Sequence, residues 1–417
     1  MAKRAWMTNY RSSLLRLLNE RGYIHQLTDA AALDALAAKE PVSAYIGFDA
    51  TAPSLHVGSL VQIMMLRRLQ QAGHRPIVLM GGGTTKVGDP SGKDESRKLL
   101  THEEIDANIA GIRRVFERFL TFAPKDSMGG PSDAIMANNA DWLDGLQYID
   151  FLREVGKHFT INRMLTFDSV RLRLDREQPL TFLEFNYMIL QAYDFLELAR
   201  REQCRAQFGG SDQWGNIVNG IELARRVDGL ELFGVTTPLI TTADGSKMGK
   251  TAQGAVWLDE KLLSPYDYWQ FWRNTQDADV GRFLKLFTDL SLEDIGKLES
   301  LEGADVNQAK IVLATEATAM LHGREAAETA RQTAETTFVG GGVGEDLPTV
   351  VAPREGISIL QANTALGFAT SNKEVKRKID EGAIRVNDEK VSDYALIVKP
   401  GDKVSFGQKK HGMVVEG

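Results

Sequence analysis

The sequence predicts an α/β fold: a doubly wound parallel sheet, a helical domain, and a small α+β domain at the C-terminal end. Three observations carry this. Strand-helix-strand patterning fills residues 42–80 and returns over 205–240, which favours parallel strands joined by crossover helices. Residues 260–338 are rich in Ala, Leu, Glu and Thr, with helical periodicity and no strand pattern. The run Gly340-Gly341-Gly342-Val343-Gly344 then sets off a last segment with its own helix and hairpin signals.

Taken in order, Val42 to Phe48 reads as a strand and Ser54, after Pro53, as the N-cap of a helix. Leu60, Ile63, Met64 and Leu69 form that helix's apolar stripe, which stops at Gly73. Pro76-Ile77-Val78-Leu79-Met80 is a short buried strand. Residues 101–200 read as a largely helical insertion. Arg205 to Phe208, a helix from Asn216 to Arg226, and Val235 to Ile240 resume the alternation. The expected organisation is a catalytic sheet domain over 1–240, a lysine-bearing loop and helical domain over 241–338, a Gly/Pro linker over 339–354, and a terminal module over 355–417. In that module a helix carrying Lys373, Lys376, Arg377 and Lys378 precedes a hairpin from Gly382 to Val391.

Composition narrows the function classes. The chain has 417 residues and a net charge of −7, so no global basic field draws it to nucleic acid. Residues 355–417 hold ten Lys/Arg against nine Asp/Glu, or +1, which leaves −8 for the rest. The single cysteine, Cys204, excludes an internal disulfide and a multi-cysteine zinc site. No apolar stretch approaches the roughly 20 residues of a membrane span, and the first residues lack the apolar run of a signal peptide. A cytoplasmic protein is expected.

Two distant stretches carry the chemistry: Ser54-Leu55-His56-Val57-Gly58-Ser59, where a strand turns into a helix, and Lys247-Met248-Gly249-Lys250-Thr251, in a Gly-rich loop. A helix N-terminus with an imidazole can hold a triphosphate, and lysines on a loop can follow the charge onto leaving pyrophosphate. Gly47 and Gly58 permit close backbone approach, and Thr51 and His56 offer donors. Lys93 and Arg97 are further cations near the same end of the sheet. Other phosphate motifs fit worse. Gly88-Asp89-Pro90-Ser91-Gly92-Lys93 lacks the P-loop spacing and its following hydroxyl residue, and no G-x-G-x-x-G follows the first strand.

A second polar constellation lies on one predicted helix. Thr181-Phe182-Leu183-Glu184 is a capping box, and Tyr187, Gln191 and Asp194 follow on one face of an otherwise apolar helix. Buried polar groups need partners, since leaving one unpaired costs about 1–3 kcal/mol. A pocket shared with Asp89 and Gln213, at strand ends, would supply them.

His56-Val57-Gly58-Ser59 together with Lys247-Met248-Gly249-Lys250-Thr251 resembles the two signatures of class I aminoacyl-tRNA synthetases. Tyr45-Ile46-Gly47-Phe48-Asp49, Gly88 to Lys93, Tyr187 to Asp194 and Gly209 to Asn216 narrow the resemblance to the bacterial tyrosyl-tRNA synthetase family, and the last module resembles the S4 RNA-binding domain. The resemblance implies a Rossmann-like catalytic domain that activates tyrosine with ATP to tyrosyl-adenylate and pyrophosphate, then passes it to tRNA(Tyr). It assigns Tyr45 and Asp194 to the phenolic hydroxyl, and Tyr187, Gln191 and Asp89 to the ammonium group. Asn139 and Gln213 line the tyrosine site. Thr51, His56, Lys93, Arg97, Lys247 and Lys250 serve the phosphates, and Gly47, Asp49, Gly58, Gly210 and Asp212 contact the nucleotide or the amino-acid end.

It further implies Mg²⁺ arriving with ATP as substrate, no permanent metal or cofactor, and a homodimer. Lys373, Lys376, Arg377, Lys378 and Arg385 would bind RNA, and the helical segment with Trp269, Trp272 and Arg273 the anticodon. Ser59 stands where the family most often has a second histidine; losing one neutral hydrogen bond costs about 0.5–1.5 kcal/mol, so activity is expected. Gly249, where serine is frequent, is expected to add loop freedom. The competing readings are a tryptophanyl-tRNA synthetase, a small-molecule nucleotidylyltransferase and a non-catalytic RNA-binding paralogue.

Overall fold

The computed structural model describes residues 9–88, 100–124, 129–243, 245, 248–251, 254–339, 347–407 and 410–417, with backbone alone at 168, 169, 172, 250, 251 and 337–339. The chain divides into two compact units, Met1–Asp259 with Gln276–Gly303, and Glu260–Thr275 with Ala304–Gly417.

In the first unit one sheet holds β1 (Gln26–Leu27), β2 (Ser43–Phe48), β3 (Arg75–Met80), β4 (Ile135–Asn138), β5 (Cys204–Gly210) and β6 (Phe233–Thr237). Their spatial order is β1-β6-β5-β2-β3-β4. β2 to β6 are parallel, and β1 is antiparallel at the β6 edge. β2 pairs with β3 on one side and β5 on the other. The winding direction therefore reverses between β2 and β5, and a crevice opens at their carboxyl ends.

Local sequence explains most of these elements. The helices His102–Phe119 and Phe182–Glu202 both open with capping boxes. Thr101 and Thr181 each accept the N–H three residues on, at 3.2 Å, and Glu104 and Glu184 reach back to the cap N–H at 2.8 and 3.0 Å. Tyr45, Ile77, Leu79, Phe195, Leu198 and Leu223 form a fully buried core between sheet and helices. β6 ends at Thr237 rather than at Ile240, because Pro238 has no N–H to continue the ladder. The stretch 101–200 is not helical throughout: it also supplies β4.

The segment Gln276–Gly303 packs with this sheet unit. Arg21 donates to the carbonyls of Lys285 and Thr288 at 3.0 Å each, and Asp289 bridges Arg67 and Arg68 at 2.5 Å each. The basic end of the helix Leu60–Gln71 is thereby tied to a segment far along the chain.

In the second unit the helices Pro265–Arg273, Val306–His322 and Arg324–Val339 pack together. Trp269 is 2% exposed and Trp272 0%, and Trp269 Nε1 donates to Thr315 Oγ1 at 3.1 Å. These two rings are core, which corrects their assignment to anticodon recognition; Arg273 donates to Asn307 at 3.1 Å. The last residues form a five-stranded sheet in the order Glu389–Lys390, Ile384–Val386, Lys403–Phe406, Lys410–Glu416 and Thr349–Ala352. Asn387 and Asp388 (φ +50° and +68°) make the two-residue hairpin turn. Thr349–Ala352, within the stretch read as linker, pairs in parallel with Lys410–Glu416. Four residues between Pro348 and Pro353 are too few for a strand pattern to be recognised.

Candidate active site

A cavity of about 420 Å³ opens at the carboxyl ends of β2 and β5. At its closed end sits Asp194, 2% exposed. Its Oδ2 accepts from Asn139 Nδ2 at 2.9 Å and its Oδ1 from Trp142 Nε1 at 2.8 Å. Burial pushes this carboxyl up to about 7, against the two hydrogen bonds, which favour the ionised form. Asn139 is itself fixed, accepting from the Gly83 N–H at 2.7 Å and donating to Thr84 Oγ1 at 3.0 Å.

Tyr45, 1% exposed, stands edge-on to Phe195 at 5.2 Å. Its hydroxyl is buried without a hydrogen-bond partner, and burial, then the charge of Asp194, raises its pKa well above that of an ordinary tyrosine. Buried hydroxyls are normally paired; here a donor and a carboxylate line the same cavity with hydrogen-bonding capacity to spare. Asp49 accepts from Thr84 Oγ1 at 3.0 Å and from the Tyr187 hydroxyl at 3.3 Å. Gln191 donates to Gln213 at 3.2 Å, and Asn216 donates to the same oxygen at 3.2 Å.

The mouth is built by the histidine stretch. Ser54, expected as the N-cap, donates its hydroxyl to the Leu55 carbonyl at 3.0 Å. His56 caps instead: its Nδ1 accepts from the Gly58 N–H at 3.0 Å. In the neutral imidazole that bond leaves the proton on Nε2, a donor. A Cβ on Gly58 would lie 2.5 Å from the His56 ring, so only glycine lets the ring fold back this way.

The two signature stretches meet. Val57 N donates to the Val256 carbonyl at 2.8 Å, and Val256 N to the Gly249 carbonyl at 3.1 Å. Gly249 has φ +102°, and a Cβ there would sit 2.5 Å from Gly58 N. In this arrangement Gly249 is held in close backbone approach to Gly58, which its missing Cβ permits, and the expected loop freedom is not seen there.

A family model described as tRNA synthetases class I (W and Y) matches residues 37–339, and one for the tyrosine--tRNA ligase SYY-like C-terminal domain matches 341–408. The chain belongs to the class I tRNA synthetases. It is 65% identical to the tyrosine--tRNA ligase of Novosphingobium aromaticivorans, covering 98% of this chain and 99% of that protein. With that of Rhodospirillum rubrum the identity is 63%, over 98% and 99%. The mitochondrial tyrosyl-tRNA synthetase of Aspergillus nidulans, C-terminally truncated, superposes with a TM-score of 0.70 at 30% identity, covering 78% of this chain and 94% of that one. A tryptophanyl-tRNA synthetase from Encephalitozoon cuniculi, 11% identical with a TM-score of 0.54 over 76% of this chain and 87% of that one, shares the fold alone.

Of the residues singled out for this class I synthetase, the cavity gathers Tyr45, Gly47, Asp49, Thr51, His56, Gly58, Asn139, Tyr187, Gln191, Asp194, Gly210, Asp212 and Gln213. Asp89, Lys93, Arg97 and Lys247 lie outside the described residues. Lys250 belongs, by its backbone, to a two-residue strand paired with Gly254–Ala255. Lys373, Lys376, Arg377 and Lys378 lie on the helix Asn372–Asp380, with Arg377 and Lys378 facing Glu381 at 3.6 and 2.5 Å; Arg385 is on the adjoining hairpin. Sequence reasoning missed Thr84, Gln62, Gln207 and Trp257, all in the lining, and Trp142, which donates to the lining residue Asp194. The position of Trp142, three residues after Asn139 in a short helix, gave no signal, because its partner Asp194 is 52 residues away.

Proposed function

We propose that this cavity binds L-tyrosine and ATP side by side, and that the chain acts as a tyrosine–tRNA ligase. One observation carries the choice of tyrosine: a buried Asp194, oriented by Asn139 and Trp142, beside the buried and unpartnered hydroxyl of Tyr45. A phenolic hydroxyl donates to the first and accepts from the second. Phenylalanine would enter the same pocket, leave the Tyr45 hydroxyl without a partner and give the buried Asp194 carboxylate no donor beyond Asn139 and Trp142. This is the discrimination for which the handling of tyrosine against phenylalanine by this enzyme family is the standard illustration.

The tyrosine ammonium group then lies toward Asp49, Tyr187, Gln191 and Gln213, with Asp89 as a further acceptor. Its carboxylate, already a nucleophile, attacks the α-phosphorus of ATP and needs no general base. Catalysis is positioning and charge stabilisation. His56 Nε2 and Thr51 donate to the phosphates at the helix N-terminus. Lys93, Arg97, Lys247 and Lys250 take up the charge of leaving pyrophosphate, and Gly47, Gly58, Gly210 and Asp212 border the nucleotide. A terminal ribose hydroxyl at the 3′ end of tRNA(Tyr) then attacks the adenylate carbonyl, forming the tyrosyl ester and releasing AMP. ATP enters with Mg²⁺ as part of the substrate; among the described residues no group of three His, Cys, Asp or Glu side chains is placed to hold a metal.

Lys373, Lys376, Arg377, Lys378 and Arg385 contact tRNA phosphates. The working form is a homodimer, supported by large apolar side chains left exposed along 148–183: Tyr148 at 60%, Ile149 at 63%, Ile161 at 60% and Phe182 at 68%. The location is cytoplasmic, in keeping with the buried free thiol of Cys204, and among the described residues no helix is long and apolar enough to cross a membrane. The test is aminoacylation: purified protein, ATP and unfractionated bacterial tRNA should charge tRNA(Tyr) with labelled tyrosine, and failure to charge it would refute the reading.

A further inference from the structure

We propose that Asp279 and Arg282 are positioning residues for adenylate formation, holding the stem that carries the Lys247–Lys250 loop. The proposal rests on the role given above to those lysines. Past β6 the chain runs through Thr241–Ala243, which has no strand or helix of its own beyond a single bridge residue. Its backbone is held instead by one turn of the helix Asp277–Phe287. Ala243 N donates to Asp279 Oδ2 at 2.7 Å. Arg282 donates to the Thr241 carbonyl and, at 2.6 Å, to Asp279 Oδ1.

Asp279 is 3% exposed, and the Arg282 guanidinium stacks at 5.1 Å on Phe283. One ion pair at i, i+3, its carboxylate buried and its guanidinium partly exposed, thus fixes an N–H and a C=O two residues apart. Charge-assisted bonds of this kind are about twice as strong as neutral ones.

The base of the loop is clasped as well. Met248 N donates to the Ile240 carbonyl at 3.2 Å and Gly245 N to the Thr242 carbonyl at 2.8 Å, while Gly249 is pressed against Gly58. With Gly249 held against the histidine stretch, Asp279 and Arg282 anchor the other end of the loop at Thr241–Ala243. Thr241–Ala243 take no part in the lining of the cavity that holds Asp194, so the effect belongs to the chemical step and not to amino-acid binding.

The experiment compares Asp279→Ala, Asp279→Asn and Arg282→Ala in the full chain. It measures tyrosine affinity by fluorescence titration without ATP, the kcat and ATP KM of tyrosine-dependent pyrophosphate exchange, and the melting temperature. The exchange activity of the unmodified chain first establishes the reading on which the proposal rests. The expected result is an unchanged tyrosine affinity with kcat lowered about ten- to a hundredfold in the alanine variants, the scale of a catalytic group misplaced by about 1 Å. Asp279→Asn, whose amide oxygen still accepts from Ala243 N, should recover most of that loss. Alanine variants that fold and keep the unmodified kcat would overturn the proposal. So would a loss of tyrosine affinity as large as the loss in kcat, or an asparagine variant no better than alanine.

Discussion

Replacing Trp142 by Phe isolates one hydrogen bond at the closed end of the cavity. The ring stays mostly filled, but the Nε1–H that reaches Asp194 Oδ1 at 2.8 Å is gone. A hydrogen bond to a charged group is worth about 1.5–3 kcal/mol, and one pKa unit corresponds to about 1.4 kcal/mol. The variant should therefore raise the Asp194 pKa by roughly 1–2. In the unmodified protein that carboxyl already titrates at about 7, because burial disfavours its charge. The ionised form accepts the tyrosine hydroxyl, so kcat/KM for tyrosine falls as pH drops below 7.

At pH 7 the ionised fraction is near one half, and in Trp142→Phe it becomes roughly 1–10%, a five- to fiftyfold loss of kcat/KM that is regained as the pH is raised to about 9. The assay is tyrosine-dependent pyrophosphate exchange from pH 6 to 9 at fixed ionic strength. A loss of equal size at every pH would mean damaged packing, and no loss at pH 7 would mean that Trp142 does not support the charge; either refutes the reasoning.

Other consequences are direct. His56→Ala removes the cap on Gly58 and the Nε2 donor, so exchange kcat should fall about a hundredfold, the scale of a lost preorganised donor, with tyrosine affinity by fluorescence titration unchanged. Gly249→Ser forces a side chain into φ +102° and against Gly58 N, at a cost of about 1–3 kcal/mol; exchange should slow and the variant should gain nothing from the added hydroxyl. If 148–183 forms the dimer face, light scattering should give twice the chain mass, and Ile161→Asp with Phe182→Asp should give the monomer. A monomeric unmodified chain at micromolar concentration would contradict that.

Much of the site was legible because it follows local periodicity. The capping box at Thr181 and the spacing of Tyr187, Gln191 and Asp194 put three polar groups on one helix face, and that face lines the cavity. The strands β2 and β3 were found within a residue because they are mostly apolar runs, β2 followed by a stretch leading to Pro53 and β3 by Gly81-Gly82-Gly83. What escaped depends on partners distant in sequence. Trp142 is an ordinary buried aromatic until Asp194 is folded against it. Gly249 reads as a flexible loop residue until its backbone meets Gly58 from a stretch about 190 positions earlier, and His56 could not be seen as its own cap while Ser54 satisfied the usual pattern. β4 and Thr349–Ala352 are four-residue edge strands, defined by the neighbour they pair with more than by their own composition.

The central claim is that one cavity selects tyrosine and activates it with ATP. Pyrophosphate exchange run side by side with tyrosine, tryptophan and phenylalanine tests it most directly. The account predicts exchange with tyrosine, little with phenylalanine and none with tryptophan, despite serine at position 59. Exchange supported by tryptophan, or none with tyrosine in a folded protein that binds ATP, would contradict it.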